Sequence, residues 1–194
     1  VVAWVVVAGV KGAEEGGVGA GIGGVCVRAL EGDAVARGPG LGEGPVAGGR
    51  GRAAALALGD DGVLLSTRFL ASDESPIHDN FKRDIVDSDG HDTCLTEIPD
   101  IAAATVWPGA MSRSRRNRLI ERWSGREWAL RQHQGEALAG IVAARQSGDI
   151  EEAPLSYGQD AGLIHAIMPC GAIVRQIAEE AEQILAARLP ELVQ

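Results

Sequence analysis

Three cysteines in 194 residues, Cys26, Cys94 and Cys170, are too few and too widely spaced for a disulfide framework. They form no C-x-x-C pair, which argues against a zinc site, and this usage fits a reducing compartment such as the cytoplasm. Positive charge is short as well. The formal net charge is −9 and the pI is near 4.9, so a phosphate backbone is repelled unless basic residues cluster, and nucleic acid is not an expected partner. The opening run Val1 to Val10 is apolar but far below the roughly 20 residues of a membrane span, and no basic region precedes it as in a secretion signal. It reads as a buried strand, and no membrane partner is expected. Because the chain opens at valine, on a strand with nothing before it, an upstream part is expected to be missing or never to have been present. Aromatics are scarce at this end: Trp4 is the only one in the first 62 residues, a segment that carries 18 of the 27 glycines and is poor in core formers. There is no internal repeat.

What is present is a core-forming composition, 45% hydrophobic, in a chain long enough for one domain or one and a half. Its most informative stretch is Ala53 to Arg83. A small-residue helix over Ala53 to Leu58 is expected to end at Gly59, where a residue tolerant of positive φ closes a helix cheaply. Gly62 to Leu65 is apolar without alternation, the pattern of a strand buried on both faces in a parallel sheet. Ser66-Thr67-Arg68-Phe69 follows at its C-terminal end, where α/β proteins place ligand sites. Ser75 and Pro76 then look like the N-cap and first residue of a new helix.

Two further strands are expected, Val1 to Ala8 and the short segment Pro45 to Ala47. Lys11 to Gly24 is too glycine-rich for a regular element, and Val25 to Arg37 is compatible with a short helix. Beyond residue 76 the chain reads as mainly helical. Ile77, Phe81, Ile85 and Val86 recur at helical spacing; Asp92 to Glu97 and Ala103 to Trp107 read as extended pieces; Ser112 to Trp123 reads as an arginine-rich helix. Further helices are expected from about Gly135 to Gln146 and from Ala172 to Arg188. The last has Ile173, Ile177, Ala181 and Ile184 on one face, the acids Glu179, Glu180 and Glu182 mostly outside it, and Pro190 as its terminator.

The segment Gly62-Val63-Leu64-Leu65-Ser66-Thr67-Arg68-Phe69-Leu70-Ala71-Ser72-Asp73-Glu74-Ser75-Pro76, followed by His78 to Lys82, resembles the nitronate monooxygenase family, also called 2-nitropropane dioxygenases. The family's last barrel strand reads G-V-x-x-G-T-R-F-L-A-(S/T)-x-E-(S/A)-P, followed by H-x-x-(F/Y)-K. Ala153 to Leu163 is similar to the family's A-P-(L/M)-x-x-G-Q-x-A-G-L. The resemblance implies an α/β fold: the last three strands of a (β/α)8 TIM barrel over residues 1–75, then a mainly helical C-terminal region over 76–194. Three strands cannot close a barrel. The implied activity is oxidation of alkyl nitronates with molecular oxygen, with FMN as cofactor and a small nitronate or nitroalkane as partner. Alternatives are a relative of the flavin-dependent enoyl-acyl carrier protein reductase, or an inactive remnant that acts as an interaction module or pairs with another chain, a second copy included, to bury open sheet edges.

By the same resemblance, an anion cradle for the FMN phosphate falls on Ala47, Gly48 and Gly49, matching A-G-G, and on Ser66 and Thr67, with Gly17 and Gln159 as further cofactor contacts. Backbone N–H groups at strand ends and helix N-termini suit phosphate because they are unpaired donors. Two departures stand out. Arg50-Gly51 follows Gly49 about four residues sooner than in the family's A-G-G-I-A-D-G-R-G, and Ser66 replaces a glycine, which strains the backbone if that position needs positive φ. The family's E-A-G-G-H catalytic loop corresponds to Glu14-Glu15-Gly16-Gly17-Val18, and valine cannot accept a proton. No catalytic residue is therefore assigned, and the chain is expected to bind FMN weakly or not at all.

Other patterns carry less. Gly19-x-Gly21-x-x-Gly24 satisfies G-x-G-x-x-G, but it begins too far after the strand for a dinucleotide fingerprint. Asp87 to Asp92 fails as an EF-hand, because Ile85 and Thr96 stand where carboxylates are required, and a solvated turn is expected. His78, His133 and His165 have no ligand-spaced partners. The arginines from Arg113 to Arg126 are expected to pair internally with the acid surplus.

Overall fold

The computed structural model describes residues 5–8, 41–42, 46–105 and 111–192. In chain order the elements are β1 (Val5–Ala8), β2 (Leu41–Gly42), α1 (Gly49–Ala57), β3 (Gly62–Leu65), α2 (Thr67–Leu70), α3 (Asp79–Asp87), β4 (Thr93–Thr96), α4 (Ile98–Ala102), β5 (Ser112–Arg115), α5 (Arg118–Trp123), α6 (Glu127–Gln132), α7 (Gln134–Ser147), a 3₁₀ turn (Gln159–Leu163), α8 (Cys170–Gln183), a π turn (Ile184–Arg188) and α9 (Leu189–Leu192). They fall into two compact units, Val1–Ser75 with Met168–Gln194, and Pro76–Ile167. α8 thus belongs to the first unit.

In the first unit, β3 is central in a three-stranded sheet of order β1-β3-β2. β2 runs parallel to it, Leu41 opposite Gly62, as an arc of a barrel requires. β1 runs antiparallel, with Val5 opposite Leu65 and Ala8 opposite Gly62. This corrects the expectation of three successive parallel strands. An unclosed sheet leaves the N–H and C=O groups of β3 exposed along both edges, and β1 and β2 satisfy one edge each. The second strand is also displaced, since Leu41–Gly42 forms it while Val46 and Ala47 lie outside any strand. Val63 and Leu65 are fully buried and pack with Ala55, Phe69, Ile173 and Ile177, so α8 supplies much of the cover for β3. Gly59, at φ 101°, follows the C-terminal turn of α1 as the sequence predicts.

α8 buries Ile173, Ile177 and Ala181, three of the four residues on its expected apolar face. Pro190 does not stop the helix. The π turn Ile184–Arg188 precedes it and the chain stays helical to Leu192. A widened turn relieves the clash between a proline ring and the carbonyl four residues earlier.

The second unit is built on Ile98, Ile101, Leu119, Ile120, Leu130 and Ile141, with β4 and β5 paired antiparallel, Thr93 opposite Arg115. Here Ser112–Arg115 is a strand and not the start of an arginine-rich helix. Its Ser-Arg-Ser-Arg alternation has period two, and Ser114 is fully buried. The helix starts only at Arg118, because Asn117 caps it by accepting from the Ile120 N–H at 3.1 Å. Ala103 to Thr105, expected as extended, instead follow α4 through a turn with Ala104 at φ 54°. The helix after Ser75-Pro76 also starts late: His78, not Ser75, is the N-cap of α3, its Nδ1 accepting from the Asn80 N–H at 3.1 Å.

Asn117 additionally donates through Nδ2 to the Ile150 and Ala153 carbonyls, at 2.8 Å each. Asn117→Ala removes the cap and the donor to the Ala153 carbonyl, and leaves the Ile150 carbonyl only Arg115 Nη1 at 3.3 Å, so it is expected to lower stability by ~2–3 kcal/mol in denaturant melts.

Candidate functional site

Because β2 and β3 are parallel, the chain leaves both at the same end of the sheet. Ala47, Gly48 and Gly49 lead from β2 into α1, and Ser66 and Thr67 lead from β3 into α2. Five of the predicted cofactor residues thus belong to the first unit. Gln159 does not: it is an exposed residue opening the 3₁₀ turn of the second unit. Gly17 lies outside the described residues, as do Val18, the G-x-G-x-x-G run, the segment Val25 to Arg37 and Cys26. Ala8, the last residue of β1, sits beside Gly62 at the start of β3, opposite to the end where Ser66 lies.

Gly48 is the N-cap of α1 with extended backbone and no side chain to satisfy the first-turn donors. The shortened loop makes Gly49 the first helical residue, and its N–H donates to Glu180 Oε2 of α8 at 2.8 Å. A carboxylate is well placed there, since the N-terminal end of a helix carries partial positive charge. The approach is close. A Cβ on Gly49 would lie 2.5 Å from Glu180 Cβ and 2.8 Å from the Ala181 nitrogen. Glu180, which helical periodicity puts among the solvated acids, is therefore half-buried against α1, a contact no local pattern announces.

Ser66 has φ −121°, so the position does not demand a left-handed conformation and serine is unstrained. Thr67 is only 2% exposed. The loop beyond is tied to the start of α8: Asp73 N–H donates to the Met168 carbonyl at 3.1 Å, and Cys170 N–H donates to Glu74 Oε2 at 2.8 Å. Burial pushes the Arg68 guanidinium below its ordinary pKa, partly countered by Cys170, and Arg68 donates to the Ala71 carbonyl at 3.2 Å. As folded, this arrangement does not fit the phosphate ester of FMN. The Gly49 donor is spent on a carboxylate, which repels a second anion, and Thr67 is shielded.

The second unit holds a polar cluster that sequence inspection missed. The Tyr157 hydroxyl lies 3.1 Å from Asp84 Oδ2 and 3.2 Å from Asp92 Oδ2. Arg115 Nε is 3.0 Å from Asp84 Oδ1, close but not aligned as a hydrogen bond, while its Nη1 donates to Glu151 Oε1 at 2.9 Å. Burial raises the Asp84 pKa despite Arg115, and the Arg115 hydrogen bond lowers that of Glu151. Asp87 to Asp92 is a solvated turn only in part: Asp87, Asp89 and His91 are exposed, whereas Ser88 and Gly90 are buried. Ser88 donates to Asp92 Oδ1 at 2.6 Å, and Gly90, at φ 80°, is buried against the Gln159 carbonyl. Arg118 and Arg122 pair with Glu152, at 3.6 and 2.7 Å, as the charge balance predicts. No group of metal-ligating side chains occurs among the described residues.

A family model described as nitronate monooxygenase matches residues 3–180. The chain belongs to the nitronate monooxygenase family. It is 32% identical over 144 residues to a nitronate monooxygenase of Neurospora crassa, covering 72% of this chain and 37% of that one. It is 31% identical over 157 residues to nitronate monooxygenase npaC of Metarhizium robertsii, covering 77% and 43%. Among solved structures, FabK from Thermotoga maritima aligns with a TM-score of 0.65 at 32% identity, over 79% of this chain and 47% of that one. Nitroalkane oxidase from Streptomyces ansochromogenes aligns with a TM-score of 0.62 at 28% identity, over 77% and 41%. This nitronate monooxygenase family chain thus spans less than half the length of each of these relatives.

Gly49→Ala is expected to destabilise the protein by ~1–3 kcal/mol, because the new methyl meets α8 backbone. Gly140→Ala, in the interior of α7 where a Cβ meets nothing within 4 Å, is expected to stabilise by ~0.5–1 kcal/mol. Thermal melts of the two variants check the contrast. Tyr157, the only tyrosine, has its pKa raised by burial and then by the Asp84 carboxylate. A folded pKa above the unfolded value of about 10 means that its stabilisation is present below that pH and lost as pH rises further. Phenolate absorbance is expected to appear near pH 10 only in denatured protein and at clearly higher pH in folded protein.

Proposed function

We propose that the chain serves an FMN-dependent oxidation of alkyl nitronates by molecular oxygen. The observation that carries this reading is the family match over residues 3–180, which includes the strand end where Ser66 and Thr67 stand. The parallel pair β2 and β3, which delivers Gly48 and Gly49 to that same end, is the part of the sheet that agrees with a barrel arc. Bound flavin would supply the redox chemistry, taking electrons from the substrate and passing them to oxygen, while the protein supplies placement and electrostatics. Val18, standing where the family has histidine, removes the base that nitroalkanes need, so the substrate class is the nitronate, which is already deprotonated. The reducing, cytoplasmic setting inferred from cysteine usage is part of the same proposal. No helix among the described residues is long and apolar enough to cross a membrane.

A second reading is a family member without flavin chemistry, favoured by the Glu180 carboxylate on the Gly49 N–H. Oxygen uptake with an alkyl nitronate separates the two. With excess FMN the Glu180→Gln variant, in which the Gly49 N–H no longer faces a charged carboxylate, is expected to consume oxygen faster than free FMN alone. Uptake no greater than the FMN blank, from a sample shown to be folded, overturns the nitronate reading and leaves the second.

A further inference from the structure

We propose that Glu180 is an intramolecular anion that closes the N-terminal end of α1, so that neither flavin phosphate nor free phosphate reaches the Gly49 amide in the folded chain. Only the flavin part of this inference rests on the functional reading above; the closure itself rests on geometry. The Gly49 N–H, one of the helix donors without an intrahelical partner, already makes a charge-assisted bond to Glu180 Oε2 at 2.8 Å. Glu180 is held in that position by close packing, since a Cβ on Gly49 would lie 2.5 Å from Glu180 Cβ and 2.8 Å from the Ala181 nitrogen. Charge balance points the same way. A cavity of about 430 Å³ adjoins this contact, lined by Arg50, Arg188, Glu180, Gln183 and Glu191. Two cations face two carboxylates, which leaves no positive surplus for an anion while Glu180 is charged. Neutralising Glu180 changes both terms at once, freeing the donor from a charged acceptor and leaving two arginines against one carboxylate.

The sheet end that the family match marks for a cofactor is therefore self-capped. Anions gain access only when α8 moves or when Glu180 loses its charge. The isosteric variant Glu180→Gln keeps the packing and removes the charge.

The test follows the Gly49 amide by ¹H–¹⁵N spectroscopy in wild type and E180Q during titration with inorganic phosphate, and separately with FMN. The wild-type amide is expected not to respond, whereas E180Q is expected to shift saturably and bind phosphate at least about tenfold more tightly. A saturable shift of equal affinity in the wild type overturns the closure, as does a folded E180Q that ignores phosphate. E180Q that binds phosphate but not FMN upholds the closure and counts instead against the flavin reading. Should E180Q fail to fold, Glu180→Ala, which removes both the charge and the acceptor, is expected to give the same phosphate response, and no response from folded E180A overturns the proposal.

Discussion

The seating of α8 on α1 and β3 is the constraint on which the first unit depends. β3 is an apolar strand of four residues, and the burial of Val63 and Leu65 relies on Ile173 and Ile177 from α8. Burying side chains of this size contributes roughly 1.5–3 kcal/mol each, so a four-residue strand without that helix would lose much of its support. The helix can approach only because α1 presents small residues, Ala53 and Ala55, with glycine at its first position. The same closeness brings Glu180 onto the Gly49 N–H. Packing and the occupation of the candidate phosphate donor are thus one event.

The second unit solves a different problem. Its antiparallel pair β4 and β5 carries serine, threonine and arginine in place of apolar alternation, so part of its interior is polar. Tyr157 lies within hydrogen-bond distance of Asp84 and Asp92, Arg115 pairs in charge with Asp84 and bonds Glu151, and Asn117 holds the chain near Ile150 and Ala153 while it starts α5. Leaving one member of such a cluster without its partner costs more than the intact bond contributes, because a buried donor or acceptor is stranded. This explains why an acidic run that resembles a solvated turn is half-buried, with Gly90 pressed against Gln159.

Local patterns made several elements legible. The strand Gly62–Leu65, the glycine closing α1, the buried face of α8 and the family motif at Ser66 and Thr67 depend on periodicity, positive φ or short-range spacing. Other features were hidden because they depend on partners distant in the chain. The antiparallel β1 follows from which strand edges were left unpaired, and Ser112–Arg115 became a strand because β4 was available to it. His78 replaced Ser75 as a cap because an imidazole nitrogen can accept from the Asn80 N–H as a hydroxyl would. Of the candidate cofactor residues, Gly48, Gly49, Ser66 and Thr67 come to one end of the sheet, but nothing in the sequence announced that a glutamate 131 residues away would take the Gly49 donor. Gln159 was grouped with them by motif alone and lies in the other unit.

The most direct measurement is the hydrogen-exchange rate of the Gly49 amide in the wild-type chain without ligand. A first-turn helix amide with no acceptor exchanges nearly as fast as an open peptide, whereas one bonded to a half-buried carboxylate is protected. The account predicts slow exchange at Gly49 that becomes fast in Glu180→Ala. Exchange at the open-peptide rate in the wild type would contradict it, and would return the donor to the solvent, where a phosphate could reach it.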